Sequence, residues 1–376
     1  MPPFLQNFQR IVIKIGSALL VDPENGLRES WLDSLLEDAA KLVEAGHELI
    51  VVSSGAIALG RTELQKLGTD LGTRPLKLEE SQAAAAVGQI VLSQLWSQTL
   101  QAHGLAAAQI LLTIGDTEVR RHYLNARNTI STALQWGVIP VINENDTVAT
   151  SEIRFGDNDR LAARVATMVG ADLLVLFSDV DGLYDSPPSE NPAAKLIPRV
   201  TSIDEKIESM AGGAASVHSR GGMRTKIEAG RIATASGTAM VIANGTANHP
   251  ISRLNETGTG TWFDPNANAI RDRKKWISGV LEISGEITID AGAIVALERG
   301  KSLLSAGVTA VSGTFSRGDT VLVKGPNGHS VARGLVEYDS DVVAEIKGLK
   351  THEISERLGK DARSTLVHRD NLVMDE

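Results

Sequence analysis

Short, wholly apolar runs alternate with longer stretches of helical periodicity over the first two thirds of the chain. RIVIKIG (Arg10–Gly16) and ELIVVSSG (Glu48–Gly55) read as buried strands. Between them, Ser30–Glu44 places Trp31, Leu35, Leu36, Ala39 and Leu42 at helical spacing, with Gly46 as a stop. A long helix is expected over Glu79–Ala102, then strands near Leu105–Leu112 and Val138–Ile142. A helix from Arg160 to Val169, the strand Leu173–Phe177, a helix from Gly222 to Ser236 and the strand Ala239–Ala243 complete the series. Strands apolar on both faces and separated by helices predict an α/β fold, a parallel sheet covered on both sides as an α/β/α sandwich. Ligands of such sheets sit beyond the carboxyl ends of the strands.

The pattern changes near residue 265. Asp264–Lys275 is polar and turn-rich, and beyond it GEITID, TAVSG and DTVLVKGPNGHSVARGLV are short strand-like runs split by turns. Asn327–Gly328 is a hairpin signal. The expected organisation is a domain over 1–264, a linker over 265–276 and a small, mainly β domain over 277–376.

Composition narrows the function classes. With 376 residues, 42% of them apolar and 22% charged, the chain is long enough and apolar enough for sizeable cores. It has no cysteine, which excludes disulfides, thiolate nucleophiles and cysteine-ligated metals and fits a reducing compartment. MPPFLQNFQR lacks the features of a signal peptide, and no run approaches the roughly 18 apolar residues of a membrane span, so a cytoplasmic location is expected. Net charge is −9, a poor start for nucleic-acid binding. Glycine is abundant (35 residues), which suggests tight turns near ligands. There is no G-x-x-x-x-G-K-[ST], H-E-x-x-H or G-x-S-x-G.

The candidate chemistry gathers at strand ends. Lys14 lies inside an apolar strand, where its ammonium wants an anion, and Gly16 follows it. Ser53-Ser54-Gly55-Ala56 leads from a strand into a helix, a turn that leaves N–H groups free. Val141–Arg160 packs Asn143, Glu144, Asn145, Asp146, Asp157, Asn158 and Asp159 into one stretch, with Arg154 as the one offsetting cation before Arg160. Amides and carboxylates there suit an ammonium group. Ser178, Asp179 and Asp181 follow another strand, and Ser219–Gly230 is a Gly-Gly turn entering a helix with Lys226 in its first turns, an anion-binding arrangement. Each of these alone is equally well a turn, a cap or a solvated loop.

Taken in order, IVIKIGS, VSSGAIALG, AAVGQ (Ala85–Gln89), LNARNT, VINENDTVAT, FGDND, SDVDGLY and GGMRTK resemble the amino acid kinase family. GEITID, ERGKSLL, FSRGD and VHRD resemble a PUA domain, a fold often used for RNA. The resemblance implies an amino acid kinase type sandwich followed by a PUA-like domain. It implies transfer of the γ-phosphoryl group of ATP to the side-chain carboxylate of L-glutamate, the first step of L-proline biosynthesis, with L-proline as feedback inhibitor. ATP is the co-substrate, with Mg²⁺; the metal ligands are unknown, and a homo-oligomer is expected. Carried onto matching positions, Lys14, Lys226 and Asp159 are catalytic. Ser54, Asn143, Asp146 and Asn158 hold the acceptor. Lys14, Ser178, Asp179, Arg220, Gly221, Gly222, Met223, Arg224, Thr225 and Lys226 hold ATP. Arg220 stands where threonine is common and Arg154 where lysine is common, which affects the nucleotide contact and the inhibitor response. A carboxylate acceptor is already ionised at neutral pH and needs no general base. A nucleotide acceptor would want more arginines than Asn143–Asp159 provides. RNA binding through residues 277–376 is disfavoured by their 15 acidic against 11 basic residues; the basic cluster Arg271–Lys275 reads as a solvated linker.

Overall fold

The computed structural model describes residues 4–22, 26–69, 71, 74–149, 158–211, 222–266, 283–359, 362 and 364–375. The chain divides into two compact units, Met1–Val119 with Ala126–Ala269, and Arg120–Asn125 with Ile270–Glu376.

The first unit is built on β1 (Arg10–Ile15), β2 (Val21–Asp22), β3 (Gly26–Leu27), β4 (Glu48–Ser53), β5 (Ala106–Leu112), β6 (Val138–Glu144), β7 (Leu173–Ser178), β8 (Arg199–Val200), β9 (Ala239–Asn244) and β10 (Thr261–Phe263). Eight of these form one sheet in the order β5-β6-β4-β1-β7-β9-β10-β8, and β2 pairs with β3 apart from it. All pairings in the large sheet are parallel except β9 with β10. The order reverses at β1: the strands that follow it first lie on one side, and those after residue 170 lie on the other.

Alternation along β1 explains how a lysine fits an apolar strand. Ile11, Ile13 and Ile15 join the core formed with the helices Glu29–Glu44 and Leu78–Ala102. Val12 and Lys14 have the opposite parity and face the helices Asn158–Val169 and Met223–Ala235. The Glu29–Glu44 helix buries all five residues of the expected stripe. The helices Ala56–Lys66 and Leu78–Ala102 cross at Gly60 and Gly88, where a Cβ would stand 1.7 Å from the Ala84 carbonyl oxygen and 1.8 Å from that of Ala56. These two glycines let helix backbones touch, so they serve packing rather than the ligand turns expected of a glycine surplus.

The longest helix without a counterpart in the periodicity is Arg120–Gln135, which carries a sparse apolar stripe of Leu124, Ile130 and Ala133; the short helices Ile114–Glu118, Glu205–Met210 and Pro250–Thr257 likewise have none. Among the described residues no helix is long and apolar enough to cross a membrane.

The second unit contains a six-stranded sheet, β12 (Leu303–Leu304), β16 (Thr365–Met374), β15 (Ser330–Val336), β14 (Thr320–Lys324), β11 (Ile283–Ile289) and β13 (Val308–Gly313), in that order. β14 and β15 form the expected hairpin, but its loop is five residues, closed by Gly325 and His329 and with Gly328 at φ 79°. Three short helices, Ala291–Glu298, Ser340–Ile346 and Thr351–Leu358, accompany the strands. The expected linker lies largely outside the described residues.

Candidate active site

The carboxyl edge of β1, β4, β6 and β7 collects most of the expected residues. Asp159, second residue of the Asn158–Val169 helix, is buried between two lysines. Lys14 Nζ lies 2.6 Å from its Oδ1 and Lys226 Nζ 3.1 Å from its Oδ2. The Thr225 hydroxyl lies 2.9 Å from Asp159 Oδ2 and 2.8 Å from the Gly222 carbonyl, with one hydrogen for the two, and so ties the start of the Met223–Ala235 helix to the cluster. Burial by itself would push the Asp159 carboxyl up; the two ammonium groups outweigh it and hold it at about 2. The cluster carries one formal positive charge from three buried groups, so it is an anion site already assembled. Gly16, after β1, has φ −72°, an ordinary value. A Cβ there would come to 3.8 Å from Lys14 Nζ, an ordinary contact.

On the β4 and β6 side the groups are neutral amides and one acid. Ser54 N donates to the Ile15 carbonyl at 3.2 Å, and Gly55 at φ 113° makes the turn into the next helix, a conformation that favours glycine. The Asn158 amide nitrogen reaches the Ser53 carbonyl (2.9 Å), Ser54 Oγ (2.7 Å) and Asn143 Oδ1 (3.0 Å). Asn143 in turn donates to Gln89 Oε1 at 2.7 Å. Asp146 is half-buried, with no hydrogen-bond or ion partner among the described residues, and burial pushes its carboxyl up to about 6.

On the β7 side, Ser178 Oγ donates to Asp179 Oδ1 at 3.0 Å. Just beyond, a cavity of about 310 Å³ is lined by Val180, Tyr184, Pro187, Met210 and Met223 among others, mostly apolar groups with room for a small ligand. Of these, Met223 is an expected nucleotide contact and Val180 and Tyr184 belong to the SDVDGLY stretch, whereas Pro187 and Met210 carry no sequence signal. Arg224 is not drawn into the lysine cluster: it pairs with Glu228 at 3.3 Å and faces a separate cavity of about 780 Å³ that Arg160, Arg164 and Arg231 also line. Arg154, Asp157, Arg220 and Gly221 lie outside the described residues. Among the described residues no group of three or more His, Asp or Glu could hold a metal ion.

Residues 9–244 match the amino acid kinase family and residues 285–358 the PUA domain. Glutamate 5-kinase 1 of Mesorhizobium japonicum is 60% identical over 370 residues, which span 98% of this chain and 97% of that protein. Glutamate 5-kinase of a Bradyrhizobium species is 58% identical over 373 residues, 99% of this chain and 97% of that protein. Among solved structures, a UMP kinase from Bacillus anthracis aligns with 69% of this chain and 97% of its own, at a TM-score of 0.47 and 14% identity. The family match covers more than half of the chain, and relatives at this identity cover nearly all of it. The chain therefore belongs to the amino acid kinase family, among the glutamate 5-kinases that carry a PUA domain.

Proposed function

We propose that this kinase transfers the γ-phosphoryl group of ATP to the side-chain carboxylate of L-glutamate. The carrying observation is the buried Lys14–Asp159–Lys226 cluster at the sheet's carboxyl edge. Two anions must meet in this reaction, and their repulsion is the main barrier the protein can lower. Lys14 and Lys226 supply positive charge where the transferred group and leaving oxygens gather. Asp159 fixes the spacing of the two ammonium groups before substrates arrive, so little reorganisation remains at the transition state. No general base is required, because the attacking carboxylate is ionised at neutral pH.

The two substrates approach from opposite sides of β1. ATP lies along β7, with Ser178, Asp179 and the Gly222–Lys226 turn around its phosphates and its base in the cavity lined by Val180, Tyr184 and Met223. Glutamate lies over β4 and β6, where Asp146 meets the α-ammonium and Ser54, Asn143 and Asn158 hold the remaining polar groups. Mg²⁺ would be held by the phosphates of the nucleotide and by its own waters rather than by an all-protein cage. Its chemistry is to neutralise phosphate charge.

L-Proline shares the α-ammonium and α-carboxylate of glutamate, so it inhibits by occupying the same pocket. The acidic balance of residues 277–376 supports a protein-facing role for the C-terminal unit over RNA.

An acceptor panel tests the reading: glutamate, aspartate, N-acetylglutamate, carbamate and UMP, each with Mg-ATP. ADP release that depends on glutamate is expected, and a preference for UMP or N-acetylglutamate would overturn it. Proline inhibition should weaken as glutamate rises; inhibition independent of glutamate would exclude a shared pocket.

A further inference from the structure

The Leu78–Ala102 helix contributes Gln89 to the acceptor side of the cleft, a residue to which no role has been given above. Three directional hydrogen bonds run from it to the end of β4, and two more tie it to Ser93. Ser93 Oγ donates to the Gln89 main-chain carbonyl at 2.6 Å, which uses the hydroxyl's only hydrogen. Ser93 Oγ can then only accept from the Gln89 amide nitrogen, 3.2 Å away. That turns Gln89 Oε1 toward Asn143, which donates to it at 2.7 Å. Asn143 consequently presents Oδ1 to the Asn158 amide nitrogen at 3.0 Å.

The far end fixes the same polarity independently. The Ser53 carbonyl can only accept, so the group facing it at 2.9 Å must be the Asn158 NH₂. Amide orientations are ordinarily ambiguous, but here both ends of the chain demand the same one. The outcome is a defined donor and acceptor pattern. The two amide hydrogens of Asn158 are shared among the Ser53 carbonyl, Ser54 Oγ and Asn143 Oδ1, and its own Oδ1 is buried without a hydrogen-bond partner among the described residues. A buried, unpaired carbonyl oxygen is costly unless something arrives to donate to it. Ser54 Oγ accepts from Asn158 at 2.7 Å and so keeps its own hydrogen to give.

We propose that Gln89 is a positioning residue whose amide sets the orientation of Asn143 and Asn158, and thereby makes the acceptor pocket complementary to an ammonium group beside a carboxylate. The inference rests on the glutamate reading above and names what selects a free amino acid there. Gln89 touches neither substrate; it acts through Asn143. Without its acceptor oxygen, Asn143 is free to flip, and Asn158 loses the partner that holds its NH₂ inward.

The test compares Gln89→Leu with Gln89→Glu in the full-length enzyme. Leucine removes the acceptor; glutamate keeps an oxygen for Asn143. Gln89→Leu should raise KM for glutamate about tenfold, the scale of one well-made hydrogen bond. KM for ATP should stay within twofold and Tm close to the wild type. Gln89→Glu should restore KM for glutamate to within about threefold of the wild type. Side-chain amide exchange of Asn143 and Asn158, read by NMR on asparagine-labelled protein, should quicken in Gln89→Leu and remain slow in Gln89→Glu. Both KM values rising together, or the two variants behaving alike, would reduce Gln89 to ordinary packing. If the wild-type enzyme released no ADP with glutamate, the acceptor reading would fail. The amide exchange would still decide the relay: unchanged exchange in Gln89→Leu would overturn it.

Discussion

Two clusters share the carboxyl edge of the sheet, and they are made by opposite means. Around Asp159 the groups are charged, buried and already paired, with two lysines on one carboxylate. Around Asn158 they are neutral amides in a directional chain, and the one acid, Asp146, has no partner among the described residues. The difference follows what each side meets. A polyphosphate brings charge that must be matched before it arrives, and a fixed pair of cations provides this without rearrangement. An amino acid brings one ammonium and one carboxylate close together, so the order of donors and acceptors matters more than net charge. On the function proposed above, the charged cluster acts on the reaction and the amide cluster selects the acceptor.

Mutations should separate the two. The largest effect is expected at Asp159→Ala, which leaves two buried ammonium groups facing each other; unfolding free energy in urea should fall by about 3–5 kcal/mol. The Asp159 carboxyl is held at about 2, below its ordinary 3.8. Its contribution is thus present above pH 4 and lost as pH falls through 2, and the variant should lack that acid transition. Next come Lys14→Ala and Lys226→Ala, each expected to lower kcat on the order of 10²-fold with the fold retained, because charge is lost mainly in the transition state. Near-normal kcat in either would make that lysine a bystander. Gly88→Ala tests the scaffold under the amide side; a Cβ driven into the Ala56 carbonyl should cost about 1–3 kcal/mol and raise KM for glutamate before KM for ATP.

The smallest change is the most discriminating. Asp146→Asn should raise KM for glutamate roughly tenfold while KM for ATP and kcat hold, the loss of one charge-assisted contact. The wild-type pH profile offers a second reading of the same residue. With its carboxyl raised to about 6, a proton competes with the substrate ammonium below that pH. KM for glutamate should be flat above pH 6 and climb as pH falls below it, and the Asn variant should lack the climb. A kcat loss in Asp146→Asn as large as in the lysine variants would merge the two clusters into one.

Part of the charged cluster is legible in the residue pattern, because a lysine inside an apolar strand breaks it, as at Lys14; an acid at a helix start is ordinary, and Asp159 and Lys226 are expected through the family resemblance. The structure brings both lysines within hydrogen-bond distance of Asp159. The amide relay leaves no such trace. Gln89 sits among alanines and polar residues on a long helix, and its partner Asn143 is 54 positions away. Gly60 and Gly88 mislead for a related reason: close helix crossing and ligand approach both call for a missing side chain, and only the packing distinguishes them. The Arg120–Gln135 helix escapes because its buried face is three residues wide at irregular spacing. In the C-terminal unit the helices Ser340–Ile346 and Thr351–Leu358 are too short for periodicity to declare itself against the strands around them.

The reversal of strand order at β1 carries a consequence for how such a protein can change over time. In the large sheet β4, β5 and β6 lie on one side of β1, and β7, β8, β9 and β10 lie on the other, with Lys14 on the dividing strand. On the proposed reading the acceptor and the nucleotide fall mainly to separate stretches of the gene, joined where Asn158 and Asp159 stand side by side. Point changes that explore new acceptors fall almost entirely before that junction and leave the phosphoryl donor's flank untouched. Recombination near codon 150 would pass on one flank whole while exchanging the other, so a lineage could inherit its energy source intact and vary what it phosphorylates.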